Sequence, residues 1–368
     1  MTQINGHRPK AALNAATRCL RRYSHAINSL NVFPVPDGDT GTNMLLTMQS
    51  VETHLESVDS PSLSAVAQAA ARGALFGARG NSGVIFSQFL AGFAQGLENV
   101  ESADPNTLAS ALASGSQASY AAVSQPVEGT MLTVLRGFAE GASDGCTDDE
   151  DVLNLWSSAL HEAKDALAKT PTMLPVLRDA GVIDSGGQGV VVIMEGFLCS
   201  FLDQDPNTFE IELSSPSNAT GDGTSVSQEF LEATHSEEYG FCTEFMIEGE
   251  NIDIAALRSY LSEKGGSLIV IGDSSLAKVH LHTFEPDEVI AHGAGMCQEW
   301  PAIYWPDQSW GGFGNDPDVL EEGMVISIEG LAAKTGGRES VKLEEQVLIT
   351  ANGPELLSQA PFDDRLLT

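Results

Sequence analysis

Two aspartates separated by a single glycine, Asp37-Gly38-Asp39, follow an approach that contains Pro34 and Pro36. Each proline fixes its own φ and keeps the residue before it out of the helical region, so the approach is extended. Gly38 puts no side chain between the two carboxylates, which can therefore converge on one point. Thr40, Gly41, Thr42 and Asn43 come next, and an apolar run (Met44, Leu45, Leu46, Met48, Val51, Leu55) predicts a helix beginning near Asn43. A helix start offers unpaired backbone N–H groups and a partial positive charge, which suits phosphate. Carboxylates beside such an anion cradle are what a magnesium–nucleotide site needs, because magnesium takes few carboxylates and completes its shell with phosphate and water. An isolated Asp-Gly-Asp is more often an Asx-rich turn capping a helix. The length and order of residues 31–44 favour the site. A second turn, Gly80-Asn81-Ser82-Gly83, also opens a helix and could cradle phosphates from the opposite side. Arg79, just before it, could steady a transferring phosphoryl group or pair with an acidic neighbour.

Further along, Lys278-Val279-His280-Leu281-His282-Thr283 reads as a strand. Alternation of side chains puts both imidazoles on one face. A cysteine on a neighbouring strand, Cys242, would supply a third of the four tetrahedral positions that zinc takes. On the residues alone this stands level with a satisfied buried cysteine and two surface histidines.

The elements that must position these groups fall into two regimes. Residues 9–30, 43–57, 63–78, 84–97, 105–124, 130 onward, 148–169 and 184–202 carry helical periodicity, and Thr170-Pro171-Thr172 predicts the start of another short helix. No convincing strand interrupts them, so residues 1–203 are expected to form an all-α domain of eight or so helices. Residues 204–228 are polar and turn-rich and read as a linker. Strand patterns at 241–247, 267–271 and 278–283 alternate with helical ones at 254–264 and 286–297, which predicts a small α+β domain over 229–305. The tail, 306–368, has β-like pieces at 324–328 and 346–350.

Length and composition agree with a multi-domain chain. At 368 residues it exceeds what one core usually serves. The formal charge of −33 opposes binding to nucleic acid or to an anionic membrane. It fits either adaptation to high salt or an acidic mesophilic protein. Five scattered cysteines do not form a disulfide framework. Arginines and Lys10 break the N-terminal segment where a signal peptide would be apolar, and no run of about 18 apolar residues occurs. A cytoplasmic protein is expected.

Residues 31–44 resemble the signature of the bacterial fatty acid kinase ATP-binding subunit, whose N-terminal domain is similar to the L subunit of dihydroxyacetone kinase. Further motifs match in the same order: 76–85 (FGARGNSGVI), 126–134 (PVEGTMLTV), 181–189 (GVIDSGGQG), 239–244 (YGFCTE) and 278–283 (KVHLHT). The resemblance covers roughly residues 8–305. It implies a helical barrel with nucleotide bound by the loops at one end, followed by a zinc-binding middle domain. It implies magnesium on Asp37 and Asp39 and, where the dihydroxyacetone kinase relatives have a third aspartate, on Asn31, more weakly or through water; the other role for Asn31 is a hydrogen bond that ties the loop. It implies nucleotide contacts from Thr40, Gly41, Thr42, Asn43, Gly80, Asn81, Ser82, Gly83, Thr130, Met131, Asp184, Ser185 and Gly186. Zinc on Cys242, His280 and His282 is implied too, with water, a partner group, His235 or Cys297 as candidates for the fourth position. The implied activity is ATP-dependent phosphorylation of a fatty acid carboxylate presented by a separate carrier protein, by a chain that forms homodimers. A carboxylate is already ionised at neutral pH, with a usual pKa of about 4.3, and needs no general base; no His–Asp base signature lies near the motifs. The alternatives are a kinase for a small polyol such as dihydroxyacetone and a nucleotide-sensing regulator without turnover. Members of the family continue into a further large domain, to which residues 306–368 bear no resemblance.

Overall fold

The computed structural model describes residues 3–145, 151–214, 240–249, 251–295, 325–333, 340–350 and 353–356. His235, Cys297, the linker residues 215–228 and the expected start of the α+β domain at 229–239 lie outside them.

The helical part consists, among the described residues, of α1 (His7–Asn28), α2 (Thr40–Glu56), α3 (Leu63–Gly77), α4 (Gly80–Gly96), α5 (Pro105–Ala122), α6 (Met131–Asp144), α7 (Val152–Met173), α8 (Pro175–Ala180) and α9 (Ser185–Phe201). Successive helices pack on one another from α1 to α7, and α9 returns to pack on α1 while also touching α2, α6 and α7. Within α9 only Phe197, Leu198 and Ser200 escape burial, as expected for a helix that is apolar or small nearly all round.

Three details depart from the sequence reading. A two-residue pairing of β1 (Ile4–Asn5) with β2 (Ser102–Ala103) adds a short strand contact to the helical part. The α2 helix begins at Thr40 rather than near Asn43. The predicted helix start at Thr170-Pro171-Thr172 is instead the continuing last turn of α7, and the short helix is α8. Proline cannot donate to the carbonyl four residues back, and here the Thr170 hydroxyl donates to Leu167 O at 2.7 Å, supplying the missing hydrogen bond.

The stretch after α9, expected as linker, is bound to the helices as far as Ser214. Arg22 donates to the carbonyls of Pro206 and Phe209, the Tyr23 hydroxyl accepts from Ile211 N–H, and Gln188 Oε1 accepts from Ser214 N–H. Ile211 is buried in the same core as α1 and α9.

The α+β part has β3 (Phe241–Glu248), α10 (Ile254–Leu261), β4 (Gly266–Gly272), β5 (Leu276–Thr283) and α11 (Pro286–Gly295). The sheet is antiparallel in the order β3-β5-β4. One face carries Ile247, Ala277, Val279 and Leu281 and shares a core with Leu257, Leu261 and Val289 from the two helices. The other face turns to the helical part, where Ile269 and Ile271 of β4 join Ala78, Val84 and Ala122 in a smaller core. Val123 also bridges Ile269 directly.

Residues 299–368 form a separate unit. It contains the antiparallel sheet β6 (Val325–Ala333), β7 (Ser340–Thr350) and β8 (Gly353–Leu356) in that order. No helix among the described residues is long and apolar enough to cross a membrane.

Candidate nucleotide and metal site

A cavity of about 360 Å³ lies between the helical part and the sheet of the α+β part. The beginnings of α2, α4, α6 and α9 all open onto it, through Asp39 and Thr40, Gly80 to Ser82, Thr130 to Leu132, and Asp184 to Gly186. Backbone N–H groups at such a convergence favour an anion there, even in a chain of strongly negative net charge.

Asn31 organises the aspartate loop. Its Oδ1 accepts from the Thr40 hydroxyl at 2.6 Å and from the N–H groups of Thr40 and Asp39 at 3.1 and 3.3 Å, while its Nδ2 donates to Val35 O at 2.7 Å. Asp37 and Asp39 then face one another across Gly38, whose φ of 70° only glycine adopts easily. Burial, and next the charge of Asp39, push the Asp37 carboxyl up to about 7. Two carboxylates so close share a proton unless a cation replaces it, and this donor pair fits a magnesium ion.

Asp184 caps α9 by accepting from Gly187 N–H at 2.7 Å, and it also meets the Met131 N–H at the start of α6. Burial pushes its carboxyl up to about 7, against the lowering effect of these two hydrogen bonds. One side chain therefore ties two of the four helix starts together. The Ser185 hydroxyl donates to Thr40 Oγ1 at 3.2 Å, linking α9 to α2.

Not every expected contact residue reaches the cavity. Gly41, Thr42, Gly83 and Arg79 are absent from its lining. A Cβ on Gly41 would collide with Ser24 O, so this glycine lets α2 press against α1. Thr42 is bound on both sides by Asn28, which takes its N–H at 3.1 Å and donates to its hydroxyl at 2.9 Å. Arg79 instead pairs with Glu244 at 2.9 Å.

The sheet face over the cavity carries Cys242, Glu244, Lys278, His280 and His282. Cys242 is the direct strand partner of His282, and Glu244 that of His280. Ligand atoms of Cys242, His280 and His282 all lie within 4.8 Å of one another. Both ring nitrogens of His280 and Nδ1 of His282 are buried without hydrogen-bond partners. Burial lowers the His282 pKa to about 4, keeping the imidazole neutral, while burial and the carboxylates of Glu244, Asp39 and Asp37 push the Cys242 thiol up to about 11. Imidazole nitrogens without partners beside a thiol are a fitting donor set for zinc. These three residues line the same cavity as Asp37 and Asp39. The sequence reading found no His–Asp base signature near the motifs; the fold brings His280 and His282 to the cavity that the phosphate loops line.

Sequence reasoning also missed Glu244 and Lys278. Lys278 is buried, and its Nζ donates to Ala78 O at 2.7 Å and pairs with Glu244 at 3.1 Å. The signal was present in the alternation of β5, whose polar residues Lys278, His280 and His282 are as buried as its apolar ones. A strand polar on one side reads as half-exposed unless that side also carries chemistry.

Comparison with known proteins places these observations. Residues 34–199 match the DAK2 domain, and residues 238–298 match the FakA-like middle domain of fatty acid kinases. The chain thus combines a DAK2 domain with a middle domain of the fatty acid kinase type. Among its relatives, Protein YloV of Bacillus subtilis is 40% identical over 280 residues, covering 75% of this chain and 50% of that protein. An uncharacterized protein of Staphylococcus epidermidis is 36% identical over 299 residues, covering 80% and 53% respectively. The chain spans about half the length of these curated relatives. A crystal structure of the dihydroxyacetone kinase from C. freundii with AMP-PNP and Mg2+ aligns with 52% of this chain and 33% of that one, at 18% identity and a TM-score of 0.40.

Proposed function

We propose that this protein is an ATP-dependent kinase whose acceptor is a fatty acid carboxylate presented by a separate carrier protein, the product being an acyl phosphate. The observation that carries the reading is the convergence of four helix starts and the Asp37–Asp39 pair on one cavity. Phosphoryl transfer asks mainly for positioning and charge neutralisation, which this arrangement provides. Asp37 and Asp39 would hold magnesium, and Cys242, His280 and His282 would hold zinc. The ions would supply fixed positive charge beside the phosphates. The first-turn N–H groups of α4 and α9 would receive phosphate oxygens. Thr130 and Met131 would border the nucleoside, with Asp184 holding their turn in place through the Met131 N–H. The middle-domain match favours a fatty acid acceptor.

A hydroxyl acceptor such as a small polyol is the second reading, and the two cavity histidines favour it in the metal-free protein, since an imidazole that holds no metal can take a hydroxyl proton. The test begins with calorimetry of Mg–ATP on the wild type and on the Asp37→Asn, Asp39→Asn double variant. Magnesium-dependent binding should be lost in the double variant, and binding that ignores both aspartates would sink the metal assignment. Acceptors are then separated by turnover. Fatty acid with carrier protein should yield a product that hydroxylamine traps as a hydroxamate, whereas a polyol phosphate is not trapped. ATP binding without turnover on either acceptor would leave a nucleotide sensor.

A further inference from the structure

Glu244 stands beside the cavity where the helical part meets the sheet, and its two carboxylate oxygens face groups of both parts. Its Oε1 accepts from Arg79 Nη1 at 2.9 Å and faces Lys278 Nζ at 3.1 Å. Its Oε2 accepts from Gly80 N–H at 3.2 Å and lies 3.7 Å from His280 Nδ1. Glu244 is only 17% exposed. One carboxylate therefore grips the turn that opens α4 and, from the same oxygen, faces a histidine of the Cys242–His280–His282 group.

The Gly80 turn needs to be held. Gly80 sits at φ 57°, with Asn43 so close that a Cβ would collide with its amide. The turn sets where the N–H groups of Asn81 and Ser82 point, and both residues line the cavity. When one ring nitrogen of a histidine ligates a metal, the other carries a proton and seeks an acceptor. At His280 the acidic group facing Nδ1 is Glu244.

We propose that Glu244 is a positioning residue that couples the Cys242–His280–His282 metal site to nucleotide binding. With a metal held there, the His280 proton would point toward Glu244, Glu244 would fix the Gly80 turn, and the nucleotide would meet a cradle whose ordering cost has already been met. The coupling is reciprocal, so nucleotide must tighten metal binding by the same factor. This rests on the cavity being the nucleotide site described above.

The experiment measures the affinity of the full chain for Mg–ADP by calorimetry, zinc-free and zinc-loaded. It also measures zinc affinity by chelator competition, with and without Mg–ADP. The same measurements are made on Glu244→Gln. This substitution keeps shape but gives one end of the side chain to an amide, which must face either Gly80 N–H and His280 or Arg79 and Lys278 as a donor against donors. In the wild type, zinc should tighten Mg–ADP about fivefold or more, and Mg–ADP should tighten zinc by the same factor. In Glu244→Gln both ligands should bind with the coupling gone. Independent binding of the two ligands in the wild type overturns the proposal alone, and needs no variant to fold. Coupling that survives in Glu244→Gln overturns the role of Glu244. Absence of nucleotide binding in the wild type overturns the proposal together with the reading of the cavity.

Discussion

At the scale of single residues, the turn 126–130 shows how one side chain can set a loop. Glu128 accepts from both terminal nitrogens of Arg136 at 2.6 and 2.8 Å, from the Thr133 hydroxyl at 2.6 Å and from the Tyr120 hydroxyl at 3.1 Å. Thr133 in turn accepts from Gly129 N–H, next to the cavity residue Thr130. The Arg136 guanidinium is the main cause that holds the Glu128 carboxyl below its usual 4.5. Its folded pKa is depressed, so its contribution to stability is present above the unfolded value and is lost as pH falls through the folded one. Thermal melts from about pH 6 to pH 3 should show the wild type losing more stability than Arg136→Met, with a small difference that fades in salt because both groups are half-exposed. Asp37 and Asp39 were legible in the sequence because their partners are local. Glu244 was not, because its contacts with Gly80 and Arg79 span 164 and 165 residues, and nothing in a single strand announces such a distance.

At the scale of elements, the helices were legible because their apolar spacing is strong, and the misreadings lie at their ends, where side chains decide. Thr170 is the instructive case. Its hydroxyl donates to Leu167 O and accepts from Asp184 N–H at 3.1 Å, and the residue is fully buried. It thus carries α7 through Pro171 and anchors the residue that caps α9. Thr170→Val keeps the volume but leaves a buried carbonyl and a buried N–H unpaired, at a cost of about 1–3 kcal/mol each. A urea titration should show the lower midpoint with an unchanged slope, and Mg–ATP affinity should fall as Asp184 loosens. The paired faces of β3 and β5 were half legible. His-x-His on one face followed from alternation alone, whereas burial of that face required the helical part to cover it.

At the scale of the whole chain, −33 charges oppose compaction, and screening relieves like-charge repulsion. The melting temperature should rise from dilute buffer to molar potassium chloride, by about 2–4 °C for each kcal/mol gained. Indifference to salt would remove the case for adaptation to a saline interior. The change from helices to mixed strands and helices was legible from the change of periodicity. Joint ownership of the cavity by the two parts was not, because the residues that meet there are adjacent only after both parts have folded.

The β5 strand, covered on its apolar side by its own helices and on its polar side by the α4 turn, has a consequence for amide hydrogen exchange. Its N–H groups lie in the middle of a three-stranded sheet, an arrangement that alone would protect them only modestly. Those protons are released only when the sheet ladder itself opens, and with Lys278 fastened to Ala78 O that opening is expected to follow parting of the two halves. The deuterium uptake of residues 276–283 is thus a clock for separation of the halves, and a molecule seated in the cavity should slow it even though it touches few of those amides.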